Sequence, residues 1–505
     1  MRRTSTFHLL TGCGLIALLT ACSSKEPGTE TGARNISDST MASATDPSSG
    51  PVAVTTASEE ARALYAQGRE RADQLRAHDA HELFKQAAAK DPKFALAQYE
   101  LALNSPTTVA FQGHLDQAVA LSSQASEGER LMIQALQARS NGDSKQSLAF
   151  TEELVARYPR DARAHALLAT GYVGQRNYDQ AVTQLTQALE AKPDYAPAYN
   201  QLGYAYLPQG KYAEAEEAFK KYIELVPNDP NPYDSYAEML MQTGRFDESI
   251  AQYRKALTLD PHFSNSFIGI ASNLMFQGKH AAAAAQAQKL YDLARNDGDR
   301  RTALQSRAVT FVDQGRTTQA LQETEKLYAL DAKIGDTAAM SADARQAGDV
   351  LLGSGQADAA GKRYTQSLAL VRDSRLSAEA KENATLVSHY DIARVALAKR
   401  DLPTARAAAE KYVSGVEATH DAARIRLGHE LAGAVALEEK DYDKAGAELA
   451  QADQRDAYVL NTTAMAFQGK GDAGKAEELI RLAAGTYTFP TIRSALVRAK
   501  ATKLQ

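Results

Sequence analysis

Few side chains in this sequence are spaced for chemistry. His78 and His81 stand three apart, a spacing that puts two imidazoles on one helix face and suggests a metal ion. The zincin pattern, two histidines four apart around a glutamate, is absent. The pair therefore reads better as solvent-facing helix surface, and Gly428-His429-Glu430 reads the same way. No G-x-S-x-G elbow, phosphate-binding glycine loop or C-x-x-C pair occurs. The 62 Asp and Glu residues imply nothing without convergence, because carboxylates cover any helical surface. No catalytic residue, metal site or cofactor is expected, and the chain does not read as an enzyme. Net charge is -5, so no broad basic surface is implied and nucleic-acid binding is disfavoured.

The remaining candidate is a thiol. Arg2 and Arg3 precede an apolar run, Leu9 to Ala21, too short to span a bilayer as a stop-transfer helix. The run closes as Leu19-Thr20-Ala21-Cys22, which resembles the lipobox of bacterial lipoproteins. That resemblance implies cleavage after Ala21, diacylation of the Cys22 sulfur and acylation of its new amine. The thiol takes the lipid, and the small residues before it admit the peptidase. An ordinary secretory signal with an incidental cysteine is the weaker reading. Ser23 follows, and in Gram-negative members of that family a residue other than Asp permits transfer to the outer membrane. The implied location is the bacterial cell envelope, with an outer-membrane lipid anchor and a body facing the periplasm. Cleavage removes Cys13, Arg2 and Arg3, so the mature chain has no disulfide and its charge moves from -5 to -7.

Three regions follow the signal at 1–21. Residues 22–57 are rich in Ser, Thr, Gly and Pro and read as a disordered tether. Helical patterning begins at Ser58, a hydroxyl cap with Glu59 and Glu60 behind it. From 58 to 300 the pattern repeats. Pro193, Pro227 and Pro261 fall 34 residues apart. Small residues recur at Ala181, Ala215, Ser249 and Ala283, where two helices must cross closely, and twelve earlier at Ala169, Gly203, Ala237 and Ala271. Gly210, Gly244 and Gly278 occupy the turn between the helices. From 301 to 505 the same columns continue as Ala320, Ala360, Ala405, Ala445 and Ala476, with looser spacing. Thr491 to Leu504 is amphipathic and reads as a C-terminal capping helix, which a solenoid end needs.

A 34-residue helical period built from these columns resembles the tetratricopeptide repeat (TPR) family. The resemblance implies an all-α, right-handed superhelical solenoid of helix–turn–helix units, about twelve hairpins in all. In that family the first helix of each pair lines a concave groove. By register the lining here would include Asn200, Tyr204, Asn231, Asp234, Glu238 and Met241, with Tyr204 and Glu238 expected to be exposed. Leu207, Met241 and Met275 share a column, either as an apolar groove stripe or as packing between neighbouring first helices. The positions that carry a basic carboxylate clamp in chaperone-binding members hold Asn200, Tyr204, Asp234 and Glu238, so a terminal carboxylate is not the expected ligand.

The function implied is a lipid-anchored periplasmic scaffold for a protein or peptide partner in envelope assembly or secretion. The alternative is an enzyme or enzyme accessory subunit with a site in the divergent half. Neither the partner nor the oligomeric state can be read from the residues.

Overall fold

A computed structural model describes residues 50–501 except 75, 106, 142, 375, 377, 420 and 486. The signal segment, Cys22 and most of the expected tether lie outside the described residues. The described chain is a run of paired helices with no strand among the described residues. None of those helices is long and apolar enough to cross a membrane.

Twelve hairpins follow one another in the described residues. They begin with α1 (Glu59–Asp73) and α2 (Ala77–Lys90), α3 (Ala95–Leu103) and α4 (Thr108–Leu121), then α5 (Glu127–Ser140) and α6 (Ser144–Arg157). The regular repeats are α7 (Ala162–Gly174) with α8 (Tyr178–Ala191), α9 (Ala196–Tyr206) with α10 (Tyr212–Leu225), α11 (Pro230–Gln242) with α12 (Phe246–Leu259), and α13 (Ser264–Phe276) with α14 (His280–Leu293). The looser ones are α15 (Asp297–Asp313) with α16 (Thr317–Ile334), α17 (Thr337–Gly353) with α18 (Ala357–Arg372), and α19 (Ala378–Ala398) with α20 (Leu402–Glu417). After them come α21 (Ala422–Glu438) with α22 (Tyr442–Gln451), α23 (Ala457–Gly469) with α24 (Ala473–Ala484), and a lone α25 (Ile492–Ala501).

The repeat columns do the work assigned to them. Ala181, Ala215, Ser249, Ala283, Ala320, Ala360, Ala405 and Ala445 are all fully buried. Ser249 Oγ donates to the Ala237 carbonyl at 2.7 Å, so the two small-residue columns face each other across the crossing. A Cβ on Gly348 or Gly433 would sit 2.6 Å from the Tyr364 ring or Leu449, so those crossings admit no side chain. Gly210, Gly244 and Gly278 end their turns with φ of 70°, 76° and 74°, where an L side chain is strained. Each is followed by a new helix, and aspartates such as Asp401, Asp441 and Asp472 cap the corresponding helices of the later hairpins.

Each odd-numbered helix packs on its hairpin partner, and successive odd helices such as α11, α13 and α15 also touch one another. The odd helices therefore form the inner face of a superhelix, and the core is a line of apolar clusters rather than one centre. Contacts also bridge successive turns. Arg176, in the α7–α8 turn, pairs with Asp453 before α23. The Thr108 N–H donates to Asp336 Oδ2, the cap of α17, at 3.2 Å. Packing is thus not confined to neighbouring repeats.

Two expectations are corrected at the ends. The tether does not run free to residue 57. The Val52 N–H donates to Asp161 at 2.7 Å, the Thr55 N–H to Glu129 at 2.8 Å, and Thr56 Oγ1 to Asp91 at 2.6 Å. Those carboxylates stand where helices end or begin, so an irregular segment with spare N–H and hydroxyl groups satisfies them. The C-terminal helix also does more than cap. Val497 of α25 covers Leu460 and Leu479 of the last hairpin, but α25 packs mainly on α15 and α17, inside the superhelix. Arg498 finds the buried Asp313 of α15 there, while Arg493 reaches Glu430 of α21 and Asp456 at the start of α23.

Candidate functional site

The inner face is the candidate site, because the odd helices present one side chain per column along its length. The residues placed there by register are present, but they are not open to solvent. Asn200 is 3% exposed, Asn231 1%, Asp234 4%, Glu238 7% and Met241 0%, while Tyr204 is partly buried. The expectation that Tyr204 and Glu238 are exposed is therefore corrected, and the physical reason is visible bond by bond.

The columns pair with themselves. Tyr204 of α9 donates its hydroxyl to Glu238 Oε2 of α11 at 2.8 Å, and Gln242 Nε2 donates to Glu238 Oε1 at 3.1 Å. Ser266 of α13 donates to Asp234 Oδ1 at 2.6 Å. Asn231 Nδ2 donates to the Tyr222 hydroxyl at 2.7 Å, and Tyr222 reaches the Asp73 carbonyl at the end of α1. The end of α1 thus reaches the α10–α11 hairpin junction. Leu207, Met241 and Met275 are all buried, and the tail shares in that cover: Met241 clusters with Phe489, and Met275 with Ile492 and Ala495.

Burial leaves its mark on these acids. It pushes Asp234 up to about 8, with the Ser266 bond pulling the other way and the Glu238 charge adding to the rise. Glu238 is pushed up to about 7 by burial, against the Tyr204 and Gln242 bonds. Asp229, the cap of α11, rises to about 7 for the same first reason. Near neutral pH Asp234 mostly keeps its proton and Glu238 and Asp229 keep theirs in part, so the three present less negative charge to a basic ligand than three free carboxylates would.

The divergent half treats buried acids differently. Arg345 of α17 grips Asp391 of α19 through Nε at 2.7 Å and Nη2 at 2.6 Å. Arg394 meets Asp349 at 2.6 Å, and Arg301 lies between Asp331 and Asp343. A similar cluster sits near the start, where Arg69 and Arg163 both bind Glu100. Burial opposes ionisation of Glu100, but the two guanidiniums outweigh it and hold the carboxyl below its ordinary range. These charges satisfy each other, as structural ion pairs do.

The histidines fall apart as a site. His78 is exposed, while His81 is half-buried and lies edge-on to His114, ring centres 6.1 Å apart. Burial lowers the His81 pKa. His429 bonds Glu448 at 2.8 Å, but its neighbour Glu430 is not surface: it is buried and paired with Arg493 of the tail. Among the described residues no group of three His, Cys, Asp or Glu could hold a metal ion. A wide cavity of about 860 Å³ opens between α19 and α20, where Lys381, Glu382, His389, Glu410 and Lys411 mix both signs of charge.

Residues 166–230 and 231–263 match the tetratricopeptide repeat family. This stretch is an array of TPR units. Its hairpins are those of a protein-binding scaffold. A search of curated protein sequences returned no match. Among solved structures, a thermophilic TPR protein of Thermus thermophilus is 24% identical, covering 42% of this chain and 98% of its own, with a TM-score of 0.29. A TPR protein of Parabacteroides merdae is 17% identical, covering 53% of this chain and 92% of its own, with a TM-score of 0.35. YrrB, described as a TPR protein with an unusual peptide-binding site, is 17% identical over 44% of this chain and 95% of its own, with a TM-score of 0.26.

The residues that reading the register missed are Asp313, Glu430 and Asp456. Each sits on an odd helix or its cap and faces the tail. A signal for them existed in the sequence: Arg493 and Arg498 lie among the apolar residues of the terminal helix and need acidic partners if that helix is buried.

Proposed function

We propose that this chain is a lipid-anchored scaffold of a bacterial envelope, which holds a protein or peptide partner at its TPR superhelix on the periplasmic side. The observation that carries the binding role is the unbroken stack of TPR hairpins, whose odd helices share one inner face. A repeated, rigid surface suits recognition of an extended or helical segment, because preorganised contacts lose little entropy on binding. The anchor rests on Leu19-Thr20-Ala21-Cys22 behind a basic and then apolar start. Three acyl chains would hold it firmly, at about 0.8 kcal/mol per buried CH₂. A role in envelope assembly or secretion follows from that location and that repeat type.

Crosslinking in intact envelopes, followed by pull-down, asks for the partner directly. Cys22→Ser should leave the leader uncleaved and abolish labelling by a clickable palmitate. Normal labelling of that variant would remove the anchor from the proposal, while recovery of no crosslinked protein would remove the scaffold.

A further inference from the structure

The tail that follows α24 lies where a ligand of a TPR superhelix would lie. We propose that residues 487–501 are an internal ligand of the inner face, and that the partner which replaces them is a basic amphipathic helix with aromatic side chains ahead of it. This rests on the scaffold reading above.

The tail is bound from several sides. Ile492 and Ala495 pack among Val309, Val312 and Val350, and a Cβ on Gly353 would collide with Leu496. Ahead of the helix, Tyr487 stands edge-on to Phe246 and Phe276, with ring centres 4.9 and 5.3 Å away. Phe489 joins the cluster of Met241, Tyr253 and Ile270. One short segment thus touches elements from α11 to α23.

The charges define the partner. Arg493 Nη2 lies 2.7 Å from Glu430 Oε2, its Nε 3.6 Å from Asp456, and its guanidinium 4.2 Å from the Tyr458 ring centre. Arg498 Nε lies 2.9 Å from Asp313 and its guanidinium 4.7 Å from the Phe276 ring centre. The Asp313 and Glu430 side chains are only 4% exposed. With the tail gone, they would keep His280 and Tyr390 but lose their arginines. Losing those guanidiniums leaves Asp313, Glu430 and Asp456 as an acidic set on the emptied face, which attracts a cationic replacement.

The tail is also the element best placed to leave. α25 has ten residues and no hairpin partner, and an irregular segment joins it to α24. A helix that short is marginal alone, so its order comes from the inner face itself. It does not seal the end of the solenoid either: Ile480 and Leu482 on α24 remain exposed.

The test uses the full chain and a fluorescent synthetic peptide of residues 487–501. Reversing both arginines (R493E with R498E) should release the tail, so that amides 492–501 lose protection from hydrogen exchange. The peptide should then bind at least about tenfold more tightly than to the unaltered chain, because apparent affinity scales with the fraction of open face. Adding Asp313→Lys to the released chain should abolish that binding. If circular dichroism shows that the double reversal unfolds, Leu496→Ala serves as the released chain in the same assay. Amides that stay protected in the released chain would overturn the proposal, as would a released tail with no gain in peptide binding. A released chain that dimerises and refuses the peptide would overturn the separate partner in favour of exchanged tails. Crosslinked partners held equally by both forms would overturn the tail's role alone and leave the scaffold standing, with its partners on another face.

Discussion

In α11, Asp234 and Glu238 are buried among a serine, a tyrosine and a glutamine; in α19, Asp391 is buried just as deeply against Arg345. The same solenoid thus holds two kinds of inner face. Across α9–α14 the helices have 11 to 14 residues, the spacing is strict, and burial raises the pKa of the inner acids toward neutral or above. Across α15–α21 the helices lengthen to between 16 and 21 residues, and acids are neutralised by arginines. Longer helices carry long side chains further across the interior, and Arg345 and Arg394 use that reach. The crossing residues stay small in both regions, so the repeat loosens by helix length and not by a change in packing.

The largest effect expected from this contrast is at an arginine. Arg345→Met removes the two-pronged cation from Asp391, leaves it only Arg394 at 3.9 Å, and should cost roughly 3–5 kcal/mol in denaturant unfolding, because a buried charge loses its hydrogen-bonded partner. A cost near zero would mean that Asp391 takes up a proton as Asp234 does, and the two faces would cease to differ.

Next come the crossings, which both regions share. Ala215→Trp and Ala360→Trp should each destabilise by roughly 1–3 kcal/mol, since both alanines are fully buried where helices meet. Clearly unequal losses by circular dichroism melting would show that the divergent hairpins cross differently.

The smallest effect, taken per pH unit, sharpens the contrast through pH. Asp234 binds its proton more tightly folded than unfolded, with a folded value of about 8. Its stabilisation is therefore complete below the ordinary carboxylate range and is lost as pH rises toward 8, by at most about 1.4 kcal/mol per unit. Asp234→Asn should flatten the fall in stability between about pH 5 and 8. A profile unchanged by this substitution would place the titrating group elsewhere, with Glu238 and Asp229 next to be tested.

Most of the architecture could be read from the residues, because one period writes each structural task into a column. The alanine crossings and the glycine turns sit where that column reading puts them. Part of the groove was legible too: Tyr204 and Glu238 stand 34 apart, and residues one repeat apart on first helices are neighbours. That spacing already implied a bond between them in place of two free groups. The tail was not legible in the same way. Its amphipathic pattern says that Ile492 and Val497 seek cover, but no period links Arg498 to Asp313, 185 residues earlier. Contacts between turns of a superhelix depend on its pitch, which small rotations at every repeat set together.

The pairs that bridge those turns alter how such a chain can assemble. A solenoid of local contacts can grow hairpin by hairpin and fray from either end. Here Tyr222 meets Asp73 across 149 residues, Thr108 meets Asp336 across 228, and Arg176 meets Asp453 across 277. Each such closure waits on the ordering of every repeat between its partners, which raises contact order and slows the last stage of folding. Once closed, the same links tie early hairpins to late ones, so that a force on one end is shared by coils far along the chain.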